Sequence, residues 1–505
     1  MSDDLFTLIA SRIPDRAKPF LILADGSTIS YGEMLALSAR FAGLLVRLGV
    51  APGDRVAVQV DKSPEALILY LGALRAGAVF LPLNTAYTLA EVEYFLGDAE
   101  PRLVVCRPQD GEAMAAVAAR LGTGICRTLG AKGEGSLTAE AATMPSEFAN
   151  VARGAEDLAA ILYTSGTTGR SKGAMLSHRN LASNAQVLGD YWRFTADDVL
   201  LHALPIFHTH GLFVATNIML LAGGSMIFLP RFDADQVLAL LPKATAMMGV
   251  PTFYVRLVDH PGLTREVAAH MRLFVSGSAP LLAETHREFQ ARTGHAILER
   301  YGMTETNMNT SNPYDGDRIA GTVGFPLPGV DLRIVDPETG TELAQGEIGM
   351  IEVRGPNVFQ GYWRMPEKTA AEFRADGFFI TGDLGLIDPR GYVHIVGRGK
   401  DLIISGGFNV YPKEVEGEID ALPGVIETAV IGLAHHDFGE GVTAVVVRQK
   451  GADLDEAAVL EALEGRLAKF KQPKRVLFVD DLPRNAMGKV QKNVLRETYK
   501  DLYAD

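Results

Sequence analysis

Cysteine is nearly missing from this chain: Cys106 and Cys126 are the only two in 505 residues, and neither sits in a CxxC. This excludes a disulfide framework or a thiolate zinc site as the organising device and makes a reducing cytosol the default compartment. A basic excess is missing too. The net charge is −13, which argues against a general nucleic-acid binder, because phosphate backbones demand a cationic surface. A few local cations can still hold a small anion. No uninterrupted apolar run reaches membrane-spanning length. The longest, Ala66 to Leu83, contains Arg75 and two glycines, and it reads as a core helix followed by a strand. Met1 to Phe6 carries two aspartates and no basic segment, so a secretory leader is not expected.

What is present is globular: 47% hydrophobic and 22% charged residues. The length exceeds one ordinary core, so two or more domains are expected. The first 150 residues alternate helical and strand patterns, with apolar residues at helical spacing from Pro64 to Gly77 and a short strand at Ala78–Leu81. Such alternation predicts layered α/β architecture. Ala159–Tyr163 is another short strand, and Ser177 has the position of a helix N-cap. Further strands are expected at 246–250, 273–276, 297–301 and 350–353. The Gly- and Pro-rich stretch 326–397 suggests a small β subdomain. Gly397-Arg398-Gly399-Lys400-Asp401 is the best hinge, dividing an N-terminal domain, 1–399, from a small mobile α+β domain, 400–505, whose first helix starts at Pro412.

The strongest local signal runs from Tyr163 to Gly173: Thr164, Ser165, Gly166, Thr167, Thr168, Gly169, Arg170, Ser171 and Lys172 bring hydroxyls, glycines and cations onto one loop, expected between a strand and a helix. Glycines let the backbone approach an anion, and hydroxyls and amides donate to phosphate oxygens. It is not a Walker A loop, because GxxxxGK[ST] cannot be laid over it. A flexible surface turn is the bland alternative.

This loop resembles that of the adenylate-forming superfamily of acyl-CoA synthetases, luciferases and peptide-synthetase adenylation domains. The resemblance covers essentially the whole chain. Phe207-His208-Thr209-His210-Gly211, Ser276-Gly277-Ser278-Ala279-Pro280, Tyr301-Gly302-Met303-Thr304-Glu305-Thr306, Thr381-Gly382-Asp383-Leu384, Gly397–Asp401, Ser405-Gly406-Gly407-Phe408 and Pro483–Lys489 follow in the family's order. The resemblance implies that ATP, Mg²⁺ and coenzyme A are used to join a carboxylic acid to CoA through an acyl-adenylate. It implies that Tyr301 faces adenine and that Thr304 touches a nucleotide phosphate. Glu305 would hold Mg²⁺, Asp383 would accept from the ribose, and Arg398 would lie near ribose or phosphate. Lys489 would bridge the attacking carboxylate and the α-phosphate, with Lys492 as a weaker competitor. The C-terminal domain would turn about Lys400, bringing Gly406, Gly407 and Phe408 to the pantetheine.

For the acid, Arg256 stands one helical turn into an apolar segment expected to line the pocket. A buried guanidinium needs an anion, and a second carboxylate would supply it. With His208, Ser278 and Met303 this constellation resembles the malonyl-CoA synthetase branch, with methylmalonate close behind malonate. The alternative is that Arg256 pairs with Asp259. His208 is read as a pocket wall or a gate for CoA, and His210 as structural. Arg466, Lys469, Lys471, Lys474 and Arg475 either greet the CoA phosphates or form a solvated face. The expected partners are a small dicarboxylate, ATP and CoA, with no nucleic acid or membrane, and the oligomeric state is open, a monomer included. Competing readings are a synthetase for another acid, an amino-acid-activating domain feeding a carrier protein, a nucleotide sensor and a luciferase-type oxygenase. The carrier reading lacks a carrier module after Lys489.

Overall fold

The computed structural model describes residues 4–13, 15–164, 171–406, 408–435, 437–464, 466–485 and 488–503. The chain separates into two compact units: residues 1–331 with 353–379, and 332–352 with 380–505. The chain thus passes between units three times, and 332–352 and 380–399 group with the C-terminal residues. Among the described residues, no helix is long and apolar enough to cross a membrane.

The first unit is layered α/β, as expected. One six-stranded sheet runs Ile125–Thr128, Leu103–Cys106, Arg55–Gln59, Val79–Pro82, Leu158–Thr164, Lys172–Ser177; its last pair is antiparallel and the others are parallel. A nine-stranded sheet places Ala246–Gly249, its central strand, beside Leu273–Ser276 and Leu298–Met303 in turn. The helix Pro64–Arg75 is set by its sequence. Ser63 accepts from Ala66 N, Pro64 occupies the first turn, and residues 66–75 are buried. Arg75, the residue that interrupts the apolar run, is buried because Leu35 O, Ser38, Phe148 O and Asn150 accept all its hydrogen bonds. Gly72 is needed there: a Cβ would lie 2.7 Å from Phe41 Cβ on the neighbouring helix.

The second unit carries most of a four-stranded sheet (Asp331–Val335, Gly349–Arg354, Phe379–Ile387, Val393–Arg398) and a five-stranded sheet around the long hairpin Val425–His435 and Gly439–Arg448. The helix Pro412–Asp420 packs Val415 and Ile419 against that hairpin's core. Asp420 closes this helix, where the macrodipole already disfavours a negative charge. Burial, helped by Glu416 and Glu427 against Thr428 and Lys413, pushes its carboxyl up to about 7. A carboxyl raised on folding stabilises the protonated form, so that stability is full below the unfolded value and is lost as pH rises toward 7. Asp420→Asn should therefore raise stability at pH 8 by up to ~2–4 kcal/mol, seen as a higher melting temperature, and leave it unchanged at pH 4. Thermal melts at the two pH values check this.

Candidate functional site

Ser165, Gly166, Thr167, Thr168 and Gly169 lie outside the described residues, as does Gly407. The residues flanking the loop are placed. Thr164 and Lys172 face each other across antiparallel strands, so the loop joins two strands, and the helix begins only at His178, capped by Ser177 with Asn180. The strand Lys172–Ser177 is short, and its buried Ala174 and Leu176 were too few for a pattern. Lys172 Nζ lies 3.4 Å from Glu372 Oε1 and 4.1 Å above the Tyr362 ring. The Tyr362 hydroxyl donates to Glu372 Oε2 at 2.6 Å and lies 3.1 Å from Glu305 Oε1. Burial and the two carboxylates push this phenol up, so it stays a donor. Neither Tyr362 nor Glu372 was flagged from the sequence.

Tyr301, Gly302, Met303 and Thr304 are half-buried at the end of the strand Leu298–Met303, and Glu305 is buried in the turn to Asn307–Ser311. The pairing shifts register between Tyr301 and Gly302. A Cβ on Gly302 would lie 1.8 Å from Asn307 O, so the bulge tolerates glycine alone.

Beside this turn, His208, His210, Ser278 and Arg300 form a second cluster. Ser278 Oγ lies 3.2 Å from His210 Nδ1, and His210 N reaches toward His208 Nδ1 at 3.5 Å. Ser278 has φ +74°, a strained region for a residue other than glycine. Arg300 is 4% exposed, and a Cβ on Gly277 would fall 2.2 Å from its guanidinium carbon. Its Nε and Nη2 are buried with no hydrogen-bond partner among the described residues, and His210 Nε2 is in the same condition. Burial pushes Arg300 down to about 9. Burial, then the charges of Arg300, His208 and His202, holds His210 well below the usual imidazole range. Two guanidinium nitrogens, which can only donate, are therefore unmet beside an imidazole nitrogen that also lacks a partner among the described residues. Such donors call for an anion.

Arg256 departs from expectation. The helix Pro251–Asp259 buries Tyr254, Leu257 and Val258, which leaves Arg256 on the other face, exposed. Among the described residues it has no ion pair, with Asp259 or any other carboxylate. Arg300, beside Tyr301, is an arginine buried within its strand, and its residue type was the only signal of it in the sequence. His210, read as structural, is the histidine bonded to Ser278.

In the second unit, Asp383 and Arg398 sit opposite each other in register and form one ion pair of 2.7 Å, so the two act as a unit. Asp383 is buried. Lys400 is exposed in the single turn Gly399–Asp401, whose Asp401 pairs with Arg496. Lys489 is exposed and bonded twice to Asn485: Asn485 N donates to Lys489 O at 2.9 Å, and Lys489 N donates to Asn485 Oδ1 at 3.0 Å. The competitor Lys492 is tied to Glu416 at 2.6 Å. Gly406 (φ +60°) donates to Phe438 O. Phe408, 56% exposed, stacks on Phe470 at 4.7 Å, and Lys474 lies 4.6 Å over Phe438. Of the basic run, Arg466, Lys471 and Arg475 are ion-paired with Glu418, Glu414 and Glu456.

Among the described residues no three His, Cys, Asp or Glu side chains converge as metal ligands. A cation held by Glu305 would take its remaining ligands from phosphate and water, which suits Mg²⁺.

Comparison with known proteins agrees with these features. Residues 10–363 match the AMP-binding enzyme family, and 414–489 match the AMP-binding enzyme C-terminal domain. The chain is 33% identical to a malonate–CoA ligase of Arabidopsis thaliana, over 99% of this chain and 89% of that protein. It is 37% identical to a feruloyl-CoA synthase of Amycolatopsis, over 94% of each. The crystal structure of ATP-bound MatB from Rhodopseudomonas palustris superposes with a TM-score of 0.98 at 67% identity, covering all of both chains. The chain belongs to the AMP-binding enzyme family, as an AMP-forming acid–CoA ligase that uses ATP, Mg²⁺ and CoA.

Proposed function

We propose that this ligase makes malonyl-CoA from malonate, with methylmalonate as the nearest alternative acid. Relatives of similar identity carry names for acids as different as malonate and ferulate, so family membership alone does not choose the substrate. The observation that carries the choice is Arg300: a buried guanidinium with two unmet donors, flanked by His210 and Ser278. A substrate with a second carboxylate satisfies it, as a planar fork does bidentately. A long aliphatic or aromatic acid would leave it unpaired at a cost of several kcal/mol. One methyl group separates malonate from methylmalonate by only ~1–3 kcal/mol.

In this reading the reacting carboxylate attacks the α-phosphorus of ATP and expels pyrophosphate, and the CoA thiol then displaces AMP. Lys489 stabilises charge on the attacking and phosphate oxygens. Thr304 and Lys172 hold phosphates, and Glu305 holds Mg²⁺. Tyr301 and Gly302 face the adenine, and the Asp383–Arg398 pair holds the ribose. The segment 164–169 cradles the triphosphate. Residues 400–505 turn about Lys400 between the half-reactions. Gly406, Gly407 and Phe408 meet the pantetheine, and the exposed aromatics beside Lys474 suit the nucleotide of CoA. His208 and Met303 line the acid. The deciding experiment scores thioester from ATP, CoA and a panel of acetate, propionate, malonate, methylmalonate, succinate and ferulate. Malonate should lead by kcat/KM; a leading monocarboxylate would sink the proposal.

A further inference from the structure

We propose that Tyr362 and Glu372 are positioning residues for the phosphate and metal end of the site: Glu372 acts through Lys172, and Tyr362 through Glu305. The inference rests on the proposed assignment of Lys172 to ATP phosphate and Glu305 to Mg²⁺. Neither residue belongs to the motifs that mark the chain, yet the segment they occupy is stitched to both functional elements. Phe359 N donates to Glu305 O at 2.8 Å; Gln360 N donates to Met175 O, Met175 N to Gly361 O and Trp363 N to Gly173 O. The backbone of 359–363 therefore ties the strand that leaves the phosphate loop to the turn that bears Glu305. Thr369 closes the segment on itself, its hydroxyl accepting from Tyr362 N and donating to Met365 O, both at 2.9 Å.

The side chains follow the same plan. Glu372 gathers Lys368 at 2.7 Å, Tyr362 at 2.6 Å and Lys172 at 3.4 Å. Two cations share one carboxylate, and the longer contact is to Lys172. That lysine is oriented, with its ammonium over the Tyr362 ring, and its charge is left largely for another anion. A phenol has one proton, and here two carboxylate oxygens share it, Glu372 Oε2 at the shorter distance. Glu305 Oε1, 3.1 Å away, is the second acceptor within reach of the same O–H, and a hydrogen bond donated there holds that carboxylate in one rotamer. Partners of this kind typically change metal affinity 10–100-fold when removed, because a ligand oxygen must sit within tenths of an ångström.

The test is calorimetric binding of ATP to the full-length protein, with Mg²⁺ and with EDTA, for wild type, Tyr362→Phe, Glu372→Gln and Glu305→Gln. Tyr362→Phe is expected to weaken Mg·ATP binding about tenfold and metal-free ATP less than about twofold, with no added effect in a Glu305→Gln background. Glu372→Gln is expected to weaken ATP several-fold with or without metal, since it unseats Lys172. Melting temperatures separate these effects from loss of folding. Equal weakening of both forms by Tyr362→Phe, or no weakening beside a disabled Glu305→Gln, overturns the role of Tyr362 alone. Wild-type-like ATP binding by Glu372→Gln overturns the role of Glu372. An unaltered Glu305→Gln overturns the assignment of Glu305 itself, and this inference with it.

Discussion

Arg300→Met should lower kcat/KM for malonate by about 10²–10³, while acetate and propionate are spared or improve. Truncating one partner of a buried, hydrogen-bonded charge pair typically costs ~2–5 kcal/mol, and the methionine keeps most of the stem volume. The same substitution should raise the melting temperature of the ligand-free protein, because it deletes a buried charge that makes no ion pair among the described residues. Opposite signs on stability and on activity are what a ligand-binding arginine predicts. A structural arginine would lose both. Arg256→Ala, at an exposed position without an ion pair among the described residues, should change malonate kinetics less than about tenfold. If Arg256→Ala is the damaging variant, the pocket charge has been put on the wrong residue.

Lys489→Ala should reduce malonate-dependent pyrophosphate exchange by about 10²–10³, the usual loss when one preorganised charge-stabilising contact is removed. Thioester formation from supplied malonyl-AMP should survive, because the lysine is assigned to adenylation only. Equal loss of both half-reactions would refute that role. Lys492→Ala is the control. Its ammonium is committed to Glu416, a buried carboxylate that also accepts from Val430 N. It should cost stability and leave pyrophosphate exchange nearly intact.

Much of this was legible before any coordinates. The strands at 246–249, 273–276 and 298–303 and the helices from Pro64 and Pro412 follow from apolar periodicity and from proline at the first turn, because these are local rules. The strand Lys172–Ser177 was not legible. A six-residue strand beside a glycine-rich loop has no period long enough to read, and its partner supplies half of its reason to exist. The site divides the same way. Hydroxyl, glycine and acidic motifs announce themselves by residue type. The unmet state of Arg300 depends on what surrounds it, and the exposure of Arg256 was not readable because a residue's place in an apolar helix does not say which face it occupies. Tyr362 and Glu372 lie some 60 residues along the chain from Glu305, and only the fold brings them to it.

Ser278 holds a backbone conformation better suited to glycine, at a typical cost of ~1–3 kcal/mol. A screen that ranks variants by thermal resistance would therefore favour glycine at this position. A screen that ranks them by turnover would restore the hydroxyl that bonds the His210 ring and holds its orientation. Robustness and chemistry pull opposite ways at this single position, so a library selected for heat tolerance alone would tend to lose the enzyme it set out to harden.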